Sequence, residues 1–214
     1  MKSLLVACLA LVPLAASADE KDKPHLLYLH GRIVQEQQER RPKHAQFGYY
    51  ELDQIIDTFQ KRGFAVSSEL RPKGQTIAAA AGQVIDEVHA LVASGVPARR
   101  ITVLGASMGS TIALVASLKL RNPELNFAVL GTCLALNVPL LVAEHGHGPI
   151  GHLLAIREKS DESVEPCPAW TDDLSTRKRL VVREIVLDTG LRHGFLFRPL
   201  PEWVDPVVEW SSLR

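Results

Sequence analysis

Arg100-Ile101-Thr102-Val103-Leu104-Gly105-Ala106-Ser107-Met108-Gly109-Ser110-Thr111-Ile112-Ala113-Leu114 is the stretch on which the reading of this chain turns. Its first six residues are a short, continuous apolar run, which marks a strand covered on both faces. From Ser107 to Leu120 the pattern is helical, and Asn122-Pro123 stops it. Between the two lies Gly105-Ala106-Ser107-Met108-Gly109, a G-x-S-x-G pattern. A strand that turns directly into a helix forces such a serine into a strained backbone conformation and exposes its hydroxyl. Glycines two residues to either side let strand and helix approach without a Cβ clash. The first-turn amides of the helix also favour negative charge beside the serine. The competing reading is a helix N-cap serine with packing glycines. The strand-then-helix placement favours the nucleophile.

Working outward, short apolar runs alternate with longer amphipathic ones. His25 to His30, ending in Gly31, predicts a first strand. Arg32 to Lys43 is polar and reads as a loop. Phe47 to Arg62 places Tyr50, Leu52, Ile55, Ile56 and Phe59 at helical spacing, stopped by Gly63. Phe64-Ala65-Val66 opens a second strand. Gln75 to Ala93 is an amphipathic helix with Ile77, Ala81, Val84, Val88 and Leu91 on one face. Further strands are expected at Phe127–Leu130, His152–Ile156 and Val181–Leu187, and a final helix at Pro201–Trp210. Strands separated by helices pair in parallel through right-handed crossovers. The expected fold class is therefore α/β, an open, mostly parallel sheet with helices on both faces.

In such sheets, sites form at the carboxyl ends of the strands. That selects His30-Gly31, the Gly105–Gly109 turn, Gly131–Cys133, Glu158–Asp161 and Asp188–His193. A serine hydroxyl needs a base to take its proton. Of the eight histidines, His193 follows the last strand, in a loop with Gly194 beside it, and is the preferred base. His25, before a strand, and His89, on a helix, have no route to Ser107. The acid that orients the imidazole and stabilises its cation is expected at Asp161, on the polar loop after the fifth strand. Glu158 and Asp188 are its rivals.

These residues resemble the α/β-hydrolase superfamily, in a small version without a lid domain. The resemblance runs from Leu26-Leu27-Tyr28-Leu29-His30-Gly31 to the final helix. It implies a triad in the chain order Ser107, Asp161, His193. It implies that His30-Gly31 begins an oxyanion loop, and that the backbone N–H groups of Arg32 and Met108 hold the oxyanion. The two antiparallel strands that usually open the family's sheet have no counterpart between Asp19 and Lys23, so a truncated sheet is expected.

Composition bounds what else the chain can be. Of 214 residues, 46% are hydrophobic and 22% charged, enough apolar material for a sizeable core and too much for a disordered chain. Lys+Arg 24 against Asp+Glu 24 leaves no global field to hold nucleic acid or an anionic membrane. Residues 1–18 combine Lys2, an apolar segment and the small-residue ending Ala16-Ser17-Ala18, which describes a secretory signal peptide too short to span a bilayer. The expected organisation is a signal at 1–18 and one domain at 19–214, periplasmic or secreted. A buried first helix is disfavoured because the segment has no polar face. Leu5-Val6-Ala7-Cys8 stands too near the start for a lipoprotein signal. Export would expose Cys133 and Cys167 to an oxidising compartment, where a disulfide between them or two buried thiols are the alternatives.

Two further clusters invite chemistry. His145-Gly146-His147 and His152 could suggest a metal, but no cysteine or carboxylate stands at ligand spacing, so none is expected, and Asn137 to His152 reads better as a flap. Arg32, Arg40, Arg41, His44 and Arg71 could bind an anionic substrate group. A solvated basic loop facing Glu36 and Glu39 is the simpler account. No glycine-rich phosphate loop follows the first strand and no cofactor is indicated. The expectation is an exported serine hydrolase acting on carboxylic esters, with thioesters, lactones and peptides open as substrates and a non-catalytic binding protein on the same fold as its alternative.

Overall fold

A computed structural model of the chain describes residues 21–131, 149–164 and 180–212. The described strands are β1 (His25–Leu29), β2 (Lys43–His44), β3 (Gly48–Tyr49), β4 (Ala65–Ser67), β5 (Ile101–Ala106), β6 (Asn126–Leu130), β7 (Gly151–Glu158) and β8 (Leu180–Leu187). The helices are α1 (Arg32–Gln37), α2 (Leu52–Lys61), α3 (Ile77–Ala93), α4 (Met108–Leu120) and α5 (Pro201–Ser212), with a 3-10 turn at Arg192–Phe197. Six strands form one sheet in the order β4-β1-β5-β6-β7-β8, with every pair parallel. The order runs outward from β1 to β4, then reverses and runs from β5 to β8. That reversal opens a crevice beyond the carboxyl ends of β1 and β5.

The apolar runs are continuous because both faces of the sheet are covered. Alternation sends Leu27, Val103, Phe127, Val129 and Leu153 to the face shared with Val84 and Val88 of α3 and Ile112 and Val115 of α4. Leu26, Tyr28, Leu104, Ala128, Leu154 and Ile156 go to the other face. There they meet Leu52, Ile55 and Phe59 of α2 and Trp203 and Val207 of α5. Each large side chain so buried contributes about 1.5–3 kcal/mol. Thr76 caps α3, its side chain accepting from the Ala79 amide at 3.2 Å.

The stretch from Arg32 to Lys43 departs from the expected loop. It holds α1, and Lys43 opens a hairpin in which Lys43 pairs with Tyr49 and His44 with Gly48. Helix α2 accordingly starts at Leu52 rather than Phe47. The Tyr50 amide donates to the Pro42 carbonyl at 2.9 Å and the Glu51 amide to the Phe197 carbonyl at 2.8 Å, so both are committed outside the helix.

Candidate functional site

Ser107 sits between β5 and α4 with φ 54° and ψ −117°, a conformation that a residue bearing a Cβ adopts only when its surroundings impose it. The surroundings are steric. A Cβ on Gly105 would lie 2.3 Å from the Gly109 carbonyl oxygen, and one on Gly109 would lie 1.9 Å from the Leu29 carbonyl oxygen. The turn is closed by the Ser107 amide, which donates to the Leu130 carbonyl at 2.9 Å. Sequence reasoning passed over Ser110. Its buried hydroxyl donates to the Gly105 carbonyl at 2.7 Å and accepts from the Leu130 amide at 3.0 Å, tying the elbow to β6. Its neighbouring position to Gly109 was the one available signal.

His193 arrives from the 3-10 turn after β8. Its Nε2 is 3.0 Å from Ser107 Oγ, and its Nδ1 is 2.5 Å from Asp161 Oδ2. Nδ1–H donates to the carboxylate, which leaves Nε2 to accept from the serine hydroxyl. Asp161 is buried, and its other oxygen accepts from the Ser163 amide at 3.2 Å and the Ser163 hydroxyl at 2.5 Å. The structure thus brings together Ser107, His193 and Asp161, from three loops at one end of the sheet.

The two rival carboxylates lie elsewhere. Asp188 is exposed and paired with Lys159 at 3.0 Å. Glu158 is 1% exposed and faces the loop backbone instead of the imidazole. Its oxygens accept from the amides and hydroxyls of Ser160 and Thr189, and the Ser160 hydroxyl in turn accepts from the Arg192 amide at 3.1 Å. Burial pushes the Glu158 acid up, but the bonds from Thr189 and Ser160 outweigh it and hold the group below its ordinary range. Glu158 therefore fastens together the loops that carry Asp161 and His193.

Beside the serine, β1 ends in His30-Gly31. A Cβ on Gly31 would fall 3.7 Å from Ser107 Cβ, so the loop runs directly past the hydroxyl. Arg32 and Met108 are the first residues of α1 and α4, and amides at that position have no partner inside their own helix. Arg32, Ser107 and His193 border a cavity of about 370 Å³ that is walled mainly by Ile33, His44, Phe47, Tyr50, Leu196 and Phe197, with Glu36 and Gln37 also lining it. His44 and Phe47 come from the β2–β3 hairpin, with rings stacked 4.6 Å apart. Phe47 also lies edge-on to Phe197 at 5.5 Å. Gly194 makes this possible, since a Cβ there would stand 3.0 Å from Phe47 Cδ1.

The basic cluster divides in a way the sequence did not suggest. Arg40 pairs with Asp53 and Arg41 with Glu51, rather than with Glu36 or Glu39. Arg71 is not solvated at all. It is 6% exposed, and burial lowers its pKa to about 10. His152 lies in β7 as expected. His145, His147, most of the proposed flap, Cys133, Cys167 and the 1–18 segment lie outside the described residues. Among the described residues no group of three or more His, Cys, Asp or Glu could hold a metal ion, and no helix is long and apolar enough to cross a membrane.

No family model and no curated protein matches the sequence. Solved structures do. A protein assigned to the alpha/beta superfamily of hydrolases from Xanthomonas campestris is 12% identical, with 89% of this chain and 96% of that one covered at a TM-score of 0.53. The chain has the α/β-hydrolase fold. Two further structures share this α/β-hydrolase architecture. S-formylglutathione hydrolase from Agrobacterium tumefaciens is 16% identical, with 89% and 85% covered and a TM-score of 0.54. SOBER1 from Arabidopsis thaliana is 13% identical, with 88% and 97% covered and a TM-score of 0.54. Within the described residues the sheet is a six-stranded, wholly parallel version of that α/β-hydrolase plan.

Proposed function

We propose that this chain is a serine hydrolase that cleaves small carboxylic esters through an acyl-enzyme. The reading is carried by one observation: a strained, glycine-flanked serine whose hydroxyl is 3.0 Å from an imidazole, itself 2.5 Å from a buried carboxylate. In this reading Ser107 Oγ attacks the acyl carbon while His193 Nε2 takes its proton. Asp161 holds the ring in the required tautomer and stabilises the imidazolium. The Arg32 and Met108 amides receive the developing oxyanion, where each such donor contributes about 3–4 kcal/mol to the transition state. His193 then protonates the departing alkoxide. Water, deprotonated by the same ring, attacks the acyl-serine and releases the acid. The largely apolar cavity suits an uncharged acyl or alkyl group of modest size. Residues 1–18 would direct the protein out of the cytoplasm before it acts, and the substrate would be a small molecule met there.

The test is hydrolysis of a short p-nitrophenyl ester. Ser107→Ala should lower kcat by about 10⁴–10⁶-fold with the circular dichroism spectrum unchanged, and a fluorophosphonate probe should label the wild type but not this variant. Undiminished hydrolysis by Ser107→Ala would overturn the assignment. A folded wild type that neither hydrolyses nor takes the probe would favour a binding protein.

A further inference from the structure

The oxyanion loop is held from beneath by groups the proposed chemistry does not use. The two peptide units that flank Gly31 are anchored at three of their four polar ends. In the first, the His30 carbonyl accepts from Arg71 Nη2, and the Gly31 amide donates to Tyr50 Oη at 3.4 Å. In the second, the Gly31 carbonyl lies 2.9 Å from His30 Nδ1. The fourth end is the Arg32 N–H. A peptide unit is planar with C=O and N–H opposed, so fixing the Gly31 carbonyl on the buried side aims the Arg32 N–H the other way, toward the cavity that Arg32 lines.

His30 can hold that carbonyl only if Nδ1 carries a proton. The Arg71 amide settles this, because it donates to Nε2 at 3.1 Å and makes that nitrogen the acceptor. The ring is fully buried, and burial and the Arg71 charge bring its pKa down to about 4, so it stays neutral. With Nδ1 protonated, Arg71 Nη2 has no acceptor there and donates instead to the His30 carbonyl. Arg71 Nε donates to Gln35 of α1 at 3.0 Å. The guanidinium therefore touches both the end of β1 and the helix that begins with Arg32. No carboxylate among the described residues pairs with it, so its charge is balanced by oriented carbonyl and amide dipoles.

We propose that Arg71 is a positioning residue of the oxyanion loop. It acts through His30, Gly31 and Gln35 to aim the Arg32 N–H at the transition state. The proposal rests on the serine-hydrolase reading above. It calls for kcat and KM on a p-nitrophenyl ester, with rates expressed per active site titrated by the fluorophosphonate. Arg71→Met should lower kcat per titrated site about tenfold and change KM less than twofold, since a misaimed donor weakens the transition state and not the ground state. Arg71→Lys, which keeps a cation able to reach the His30 carbonyl, should recover most of that loss. His30→Asn, with an amide nitrogen near the place of Nδ1, should likewise exceed His30→Ala in kcat. If Arg71→Met is too unstable to titrate, the comparison of His30→Asn with His30→Ala decides. A wild-type kcat per titrated site in Arg71→Met, accompanied only by a lower Tm, would make Arg71 merely structural and overturn the proposal. Equal rates for the two His30 variants would overturn it too. In either case a dead Ser107→Ala would leave the hydrolase reading standing, whereas an active Ser107→Ala would remove both.

Discussion

The elbow around Ser107 and the rim that presents His193 are both rigid, but for opposite reasons. The elbow is held by exclusion. Gly105 and Gly109 leave no space for a side chain, and the buried strands β1 and β6 flank the end of β5 on either side. The rim is held by attraction. Glu158 gathers the amides and hydroxyls of Ser160 and Thr189, and Ser160 passes that hold to the amide preceding His193. Steric confinement cannot be weakened without damaging the fold, whereas a hydrogen-bonded rim can be loosened while the core stays intact.

This contrast can be broken or sharpened by substitution. The largest effect is expected in the rim: Asp161→Asn should lower kcat by about 10³–10⁴-fold, because the wrong His193 tautomer is then favoured, while thermal unfolding hardly moves. In the elbow, Gly109→Ala must displace β1 and should cost about 3 kcal/mol or more in urea unfolding, with activity lost in proportion to folded protein. If it instead lowers kcat with stability intact, the elbow is not held by exclusion. The smallest effect is expected for Glu158→Gln, about 1–3 kcal/mol at pH 7. The sign of its pH dependence follows from the lowered pKa of Glu158. Its carboxylate stabilises the fold above the ordinary value of 4.5, and that contribution fades as pH falls through the lower folded value. Urea midpoints of wild type and Glu158→Gln should therefore differ at pH 7 and converge at acid pH. A constant difference would contradict the assigned bonds.

The same division explains what could be read from the sequence. Steric demands leave a local mark. The Gly-x-Ser-x-Gly turn, the six strands of the large sheet and helices α3 to α5 were all visible in runs of a few residues. Polar arrangements leave almost none. Glu158, Asp161 and Asp188 looked alike as loop acids, and what separates them is a partner about thirty residues away. Arg71 was misjudged for the same reason, since His30 and Gln35 lie 41 and 36 residues from it. Helix α1 and the β2–β3 hairpin went unseen because six residues with only Ile33 and Val34 apolar, and strands of two residues, carry no periodicity.

Ser107 and His193 stand 86 positions apart in the chain, and the imidazole is delivered only after β8 has docked at the far edge of the sheet. A nascent or partly assembled molecule therefore holds a harmless alcohol. On the proposed reading, the hydroxyl becomes a nucleophile only where these distant segments have met, so the completed sheet and the reactive serine arise together.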